Sequence, residues 1–352
     1  MHTPPGRSRK AIPAFTLLVI LFSVFSAAAQ ADELILRDGS RVLGEVIKRS
    51  NGTLEFKTKF AGTIKVKWAE VAELKTDKAM EFLLSDDSTV KVTRVTNNID
   101  EMIVEGEDAS GLPPQTLGQD VVAVINPEPW RKGEGRKFSG RVNFAFERER
   151  GNTDEDEIDW DGALTLRGKD DRLRAFGEYE KDVNNNDTTK KKWKLEGSYN
   201  YFMSPKWFVG AFSRFEHDKF ADLDLRTSVG PLVGYQWFEG KELNLSTSAG
   251  PSYVNENFFE ADDDSYPAAA WGIDFDMFLF DELLQVYHKQ IGFWNLDSTE
   301  DVVWDTWTGL RFPLVYGLVA STELKVEYDG GAPDDTDDVD TTYVFKLGYQ
   351  WE

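Results

Sequence analysis

The sequence predicts an all-β protein: a closed antiparallel transmembrane β-barrel of about 12 strands, preceded by a small β domain with an internal repeat. Three observations carry this. From Phe138 to the end, successive segments alternate apolar with polar or small side chains. The connections between those segments alternate short and long. Aromatic residues, 13% of the chain, crowd the short connections.

Composition narrows the function. The 352 residues include 62 acidic and 40 basic side chains, a net charge of -22. A nucleic-acid partner requires a basic face that displaces phosphate counterions, so none is expected. The chain has no cysteine, which removes a disulfide scaffold, a thiol nucleophile, a thiolate metal site and a lipoprotein anchor. No cofactor and no metal ligand set are assigned.

Residues 1–31 read as a secretory signal peptide. Arg7, Arg9 and Lys10 form the basic start, Leu17 to Phe25 the apolar stretch, and Ala29-Gln30-Ala31 an A-x-A cleavage site. A membrane anchor helix is the competing reading. The Ala/Ser-rich end and the cleavage site favour removal. No later window approaches the ~18 consecutive apolar residues of a spanning helix, so any membrane span must be built from strands.

Residues 32–127 read as a doubled small β (SH3-like) unit. Leu34-Ile35-Leu36-Arg37-Asp38-Gly39-Ser40 recurs 48 residues later as Phe82-Leu83-Leu84-Ser85-Asp86-Asp87-Ser88. Short alternating strands with Asp-Gly and Asn-Gly turns predict paired small sheets or SH3-like barrels. In the first copy, a loop at Ala61-Gly62-Thr63 would set Lys59 against Lys65 and Lys57 against Lys67. Like charges directly opposite are unfavourable by roughly 0.2–1 kcal/mol each. Either the lysines splay apart on a solvated face, or Lys57, Lys59, Lys65 and Lys67 form an anion-binding ridge for cell-wall polymer or lipid phosphates. Residues 128–137, rich in Pro and Gly, form the linker.

Residues 138–352 carry the barrel signature. Ile158, Trp160, Gly162, Leu164 and Leu166 share one face; Asp159, Asp161, Ala163, Thr165 and Arg167 share the other. Twelve strands alternate between tight turns, such as Gly168-Lys169-Asp170 and Ser204-Pro205-Lys206, and longer connections, such as His217 to Leu223 and Asp329 to Asp340. Short periplasmic turns and longer outer loops are the outer-membrane pattern. Tyr201, Phe202, Trp207, Tyr235, Trp237 and Trp351 beside the short turns predict one interfacial girdle. The ninth strand, near 282–294, is ambiguous, because Gln285, His288, Lys289 and Gln290 place polar groups on both faces. The final alternating strand is the kind of segment that barrel-insertion machinery reads.

Gly151-Asn152-Thr153-Asp154, Gly230-Pro231-Leu232-Val233-Gly234-Tyr235 and the ending Asp340-Thr341-Thr342 through Leu347-Gly348-Tyr349 resemble the YdiY-like family of salt-induced outer-membrane proteins (domain of unknown function 481). The resemblance covers the whole barrel, and the doubled unit resembles the amino-terminal extension of some members. It implies fold and location. It offers no activity or catalytic residues to carry over, and Trp351-Glu352 departs from the usual terminal aromatic.

The face assignment puts Arg141, Arg167, Arg174, Arg214, Arg226, Arg311 and Lys346 in the lumen, with Glu147, Asp159, Glu178, Glu196, Asp274, Asp305 and Glu323. Such balance predicts interlocked ion pairs and a narrow or plugged pore. The outer loops hold the acidic excess at Asp154 to Glu157, Asp262-Asp263-Asp264 and Asp334-Asp335-Thr336-Asp337-Asp338. These are either a solvated surface bridged by ions to lipopolysaccharide or divalent-cation sites. Beyond the leader only His217 and His288 could serve a hydrolase, and no Gly-x-Ser-x-Gly elbow occurs. The expectation is therefore a non-enzymatic Gram-negative outer-membrane barrel with a periplasmic β domain, structural or a restricted pore, with membrane lipids and lipopolysaccharide as its surroundings. A cell-wall or divalent-cation-binding surface protein and a lipid hydrolase are the alternatives.

Overall fold

A computed structural model describes residues 31–50, 52–98, 101–106, 114–149, 155–185, 187–280, 282–298, 301–330 and 338–352. The leader, the Gly151 to Asp154 motif and the acids Asp334, Asp335 and Asp337 lie outside these residues. No helix among the described residues is long and apolar enough to cross a membrane.

The amino-terminal part is one nine-stranded sheet: β1 (Asp32–Leu36), β2 (Arg41–Ser50), β3 (Thr53–Thr58), β4 (Gly62–Lys67), β5 (Val71–Leu84), β6 (Thr89–Asn97), β7 (Glu101–Gly106), β8 (Gln115–Gly118) and β9 (Val122–Ile125). The sequence offset of 48 is visible in its topology. The first half of β5 pairs back to β1, with Leu34 opposite Leu74. The second half pairs with β9, with Phe82 opposite Ile125. Each copy thus closes its last strand on its first. The two copies nonetheless share a single core, in which Leu34, Phe56 and Leu74 of the first pack with Phe82, Val95 and Met102 of the second.

The lysine hairpin has a different register from the one its sequence predicts. Thr58 opposes Gly62, Phe56 opposes Ile64, and Lys59, Phe60 and Ala61 form the turn. The Thr58 hydroxyl donates to Gly62 O at 2.9 Å and accepts from Ala61 N at 3.0 Å. Gly62 supplies the left-handed residue (φ 67) with which such hairpins close. No lysine then faces a lysine. Lys57 lies between Glu45 and Thr63, Lys65 opposes Glu55, and Lys67 opposes Thr53. Opposite charges alternate across the strands where the predicted register would have stacked like ones, while Lys57, Lys65 and Lys67 keep to one exposed face of the hairpin and Lys59 lies in its turn.

The barrel follows: β10 (Lys137–Glu149), β11 (Glu155–Arg167), β12 (Asp171–Asn184), β13 (Asp187–Phe202), β14 (Trp207–Asp218), β15 (Leu223–Glu239), β16 (Leu243–Phe258), β17 (Asp264–Leu279), β18 (Leu284–Asn295), β19 (Val302–Pro313), β20 (Leu318–Asp329) and β21 (Val339–Trp351). Each strand pairs antiparallel with the next, and β21 returns to β10, closing a ring of twelve. Closure gives every strand a neighbour on both sides, as a span without water demands. At ~3.3 Å per residue and a tilt of about 40°, even the 12-residue strands reach roughly 30 Å, enough for an apolar band of ~25 Å.

Period two sorts the side chains. Ile158, Trp160 and Leu164 are exposed on the outer wall, and Asp159 and Asp161 are buried inside. On β18, Gln285 and Tyr287 are buried in the lumen, while His288 faces outward and shares a hydrogen bond with the Thr308 hydroxyl at 2.7 Å. Tyr201, Trp207, Trp237, Phe280 and Tyr316 are exposed beside the short turns, where one girdle was expected. A second lies toward the long connections, built from cross-strand stacks: Trp160 on Tyr179 at 6.4 Å and Trp304 on Tyr328 at 5.5 Å. Two aromatic belts bounding an apolar wall match the two interfaces of a bilayer.

In the amino-terminal sheet the tightest backbone approach is at Gly44, where an added Cβ would lie 2.2 Å from Lys57 O and 2.7 Å from Phe56 Cε1. Gly44→Ala is expected to destabilise that sheet by about 1–3 kcal/mol. Urea unfolding of the full chain reads this as a lower midpoint for the amino-terminal sheet, with the barrel transition unmoved.

Candidate functional site

The inward residues of twelve amphipathic strands define the lumen, and charged groups dominate it. Lys194 on β13 donates to Asp305 on β19 at 2.9 Å. These strands stand opposite each other in the ring, so this bond spans the full width of the barrel. Arg214 on β14 also binds Asp305, and Lys192 and Lys194 both bind Glu327 on β20. Lys325 donates to Glu178 at 2.8 Å and to Glu180 at 2.5 Å. Arg226 joins Glu256 and reaches Asp329 across the ring at 3.6 Å. Lys346 ties Asp161 at 2.9 Å to Glu323 at 2.7 Å, and Tyr287 donates its hydroxyl to Glu323 at 2.9 Å. This network fills the lumen from the long connections to its middle, where Tyr287 reaches the wall of the short-turn cavity.

Deeper in, Lys289 donates to Glu196 at 2.5 Å, with its ammonium 3.5 Å from the Phe176 ring centroid and 4.4 Å from that of Trp307. Phe176 and Trp307 meet edge to face at 5.4 Å. Below this layer the short-turn half keeps a cavity of about 350 Å³, lined by residues including Arg141, Arg174, Asp274, Asp276 and Arg311. Arg174 and Asp274 pair across it at 2.7 Å.

The amino-terminal sheet meets the barrel at this short-turn mouth. Lys65, the one lysine of the predicted ridge that reaches another part of the chain, donates to Glu242 at 2.9 Å and to Glu282 at 3.2 Å in two barrel turns. The Glu242 carboxylate holds the Lys65 ammonium above its ordinary pKa. On the alkaline side this contact therefore persists beyond the pH at which an unpaired lysine would lose its charge. Lys132 binds Glu81 at 2.8 Å, Lys169 binds Asp87 at 3.3 Å, and the linker residue Trp130 is buried with the Arg167 guanidinium 5.0 Å from its ring.

At the other end, Glu157, Asp159 and Asp182 bring carboxylate oxygens within 4.8 Å of one another. The pairing makes Asp159 directly oppose Glu180, and Glu157 oppose Asp182. Glu180 is neutralised by Lys190 at 2.6 Å and by Lys325. Asp159 is buried, and its Oδ1 has no hydrogen-bond partner. A second acidic group, Glu216, Asp305 and Glu327, is already occupied by Lys194 and Arg214.

The histidines stand apart from one another. His217 Nδ1 lies 2.7 Å from Asp224 O, and its ring stacks on Trp193 at 5.9 Å. His288 and Thr308 lie on the outer wall between uninterrupted ladders to β17 and β19. The backbone N–H groups around them are used by the sheet, so the pair lacks the donors an oxyanion would need.

Residues 142–351 match the model of a family described as a protein of unknown function, DUF481. No curated protein matches the sequence. Among solved structures, the NanC porin is similar at 11% identity, covering 61% of this chain and 100% of that one, with a TM-score of 0.38. The translocator domain of the autotransporter NalP from Neisseria meningitidis is similar at 8% identity, covering 62% and 88%, with a TM-score of 0.34. A bacterial polysaccharide outer membrane secretin is similar at 11% identity, covering 62% and 99%, with a TM-score of 0.32.

Lys325 binds three carboxylates, Glu178, Glu180 and Glu327. Lys325→Met would leave them facing one another without it, and removing one side of a buried ionic cluster costs about 3–5 kcal/mol. The expected result is a clearly lower urea midpoint for barrel unfolding in lipid vesicles, followed by tryptophan emission.

Proposed function

Because this chain belongs to the DUF481 family, whose model covers the barrel and whose function is unknown, we propose from the lumen itself that the protein is an outer-membrane barrel shut by its own ion pairs. It serves as a structural element of the membrane, or as a restricted pore that conducts only once those pairs part. In this reading the long connections face outward, toward lipopolysaccharide. The short turns and the amino-terminal sheet face the periplasm, within reach of cell-wall polymer. The last strand is what the insertion machinery reads. The barrel carries no catalysis, since His288 meets a threonine on the lipid-facing wall with no oxyanion site beside it.

The observation that carries the reading is the Lys194–Asp305 bond between opposite strands. Conduction requires a continuous aqueous path, and this contact, flanked by Arg214 and Glu327, interrupts it. In planar bilayers the refolded full chain is expected to be electrically silent. A variant combining Lys194→Ala, Arg214→Ala and Lys325→Ala is expected to show discrete conductance steps. Regular large steps from the unaltered chain would overturn the closed-pore reading.

A second reading, divalent-cation binding at the outer end, is favoured by the buried Asp159 beside Glu157 and Asp182. Oxygen ligands on rigid adjacent strands suit Ca²⁺. Calorimetric titration of the full chain with calcium is expected to show one saturable site that Asp159→Asn abolishes. Equal binding by the variant counts against it.

A further inference from the structure

The short-turn cavity is lined by cations and carboxylates alike, among them one guanidinium that no carboxylate meets within ion-pair distance. Arg311 on β19 is 97% buried by its neighbours, with a relative exposure of 3%. Its Nη1 donates to the neutral Gln285 Oε1 at 2.6 Å, and its guanidinium lies 4.3 Å from the Tyr287 ring centroid. Its Nε has no partner, and among the described residues it forms no ion pair. Arg141 on β10 lines the same cavity, and its Nε is likewise without a hydrogen bond. The carboxylate nearest to it, Asp161, stands 3.9 Å away and is already engaged by Asn143 and Lys346, each at 2.9 Å.

Of the acids of this cavity two are paired with cations and a third is held by neutral amides. Asp274 is bound by Arg174 and Glu196 by Lys289. Asp276 accepts from Asn244 at 3.1 Å and from Gln285 at 3.3 Å. Gln285 therefore stands between Arg311 and Asp276, donating to the acid and accepting from the guanidinium. The result is a guanidinium without a carboxylate partner, packed on an aromatic face at the wall of a cavity of about 350 Å³. That volume lies within the usual range for small-molecule sites, ~300–1,000 Å³. An unpaired buried guanidinium is costly unless an anion meets it, and its planar fork matches the two oxygens of a carboxylate or phosphate group.

We infer that the short-turn cavity is a binding site for a small solute bearing a carboxylate or phosphate group, anchored by Arg311 and assisted by Arg141. The inference rests on the reading above only in taking the cavity as a closed-ended vestibule. Binding is measured in detergent micelles, where conduction plays no part. A barrel that conducts yet binds the anion would sink the closed pore alone, and a silent barrel that binds none would sink the site alone.

The experiment is calorimetry on the refolded full chain at low ionic strength, with inorganic phosphate in one arm and acetate in the other. The expected result is a single saturable site for at least one of the two. Arg311→Gln weakens it at least tenfold, and Arg311→Lys, which keeps the charge but not the fork, weakens it less. Arg141→Gln, scored in parallel, weakens it as well, and the heat-modifiable gel mobility of a folded barrel checks each variant. No saturable heat with either anion, or unaltered affinity in folded Arg311→Gln and Arg141→Gln, overturns the assignment.

Discussion

The contact of Lys194 and Arg214 with Asp305 joins walls that a twelve-stranded ring would otherwise hold apart, and the organisation of the lumen depends on it. With both walls drawn together, Phe176 reaches Trp307 and Lys289 reaches Glu196. Energy alone is a poor account of such contacts, because withdrawing charges from water offsets most of their attraction. Their effect is on specificity. Slipping one strand by a single residue would exchange its inner and outer faces, turning lysines and glutamates toward lipid, so the network penalises every register but the observed one.

The lumen is also polarised along its axis. Arg141, Arg167, Arg172, Arg174 and Arg311 all lie in the short-turn half, and Arg172 is bound there by the neutral Gln236 at 2.6 Å. In the other half, Lys192, Lys194 and Lys325 stand with Arg214 and Arg226, and each of these cations is shared by two or more carboxylates. A guanidinium keeps its charge and fixed fork when neutral partners hold it, which suits Arg172 and Arg311 to Gln236 and Gln285.

The barrel was legible because period two is a local signal. Asp159 and Asp161 needed only their neighbours Ile158 and Trp160 to be placed on the inner face. The pairing of those inner residues was not legible. Lys194 and Asp305 are 111 positions apart, and their meeting depends on where the ring closes and how it flattens. The girdle toward the long connections was not legible because Trp160 and Trp304 lie some way inside their strands, whereas the aromatics of the other girdle adjoin their turns. The predicted lysine register was wrong on turn chemistry. Placing Gly62 at the centre of the loop, instead of at its end in the left-handed region, shifted every pair on β3 and β4 and set like charges together. His288 looked ambiguous because a polar residue on a lipid-facing wall violates the alternation, and Thr308 on the next strand is what accommodates it.

The ring is not equally strong around its circumference. β10 shares thirteen residue pairs with β11, Lys137 opposite Arg167 through Glu149 opposite Glu155, but meets β21 through five, Gly140 opposite Trp351 through Phe144 opposite Leu347. At a net ~0.5–1.5 kcal/mol per backbone hydrogen bond in water, and more where lipid offers no substitute, this seam is the line of least resistance. It joins the first and last strands of the barrel, so it is the final joint made when the cylinder zips shut. Under tension or heat the wall would part there first, as a sheet uncurling from one edge while its other eleven joints hold.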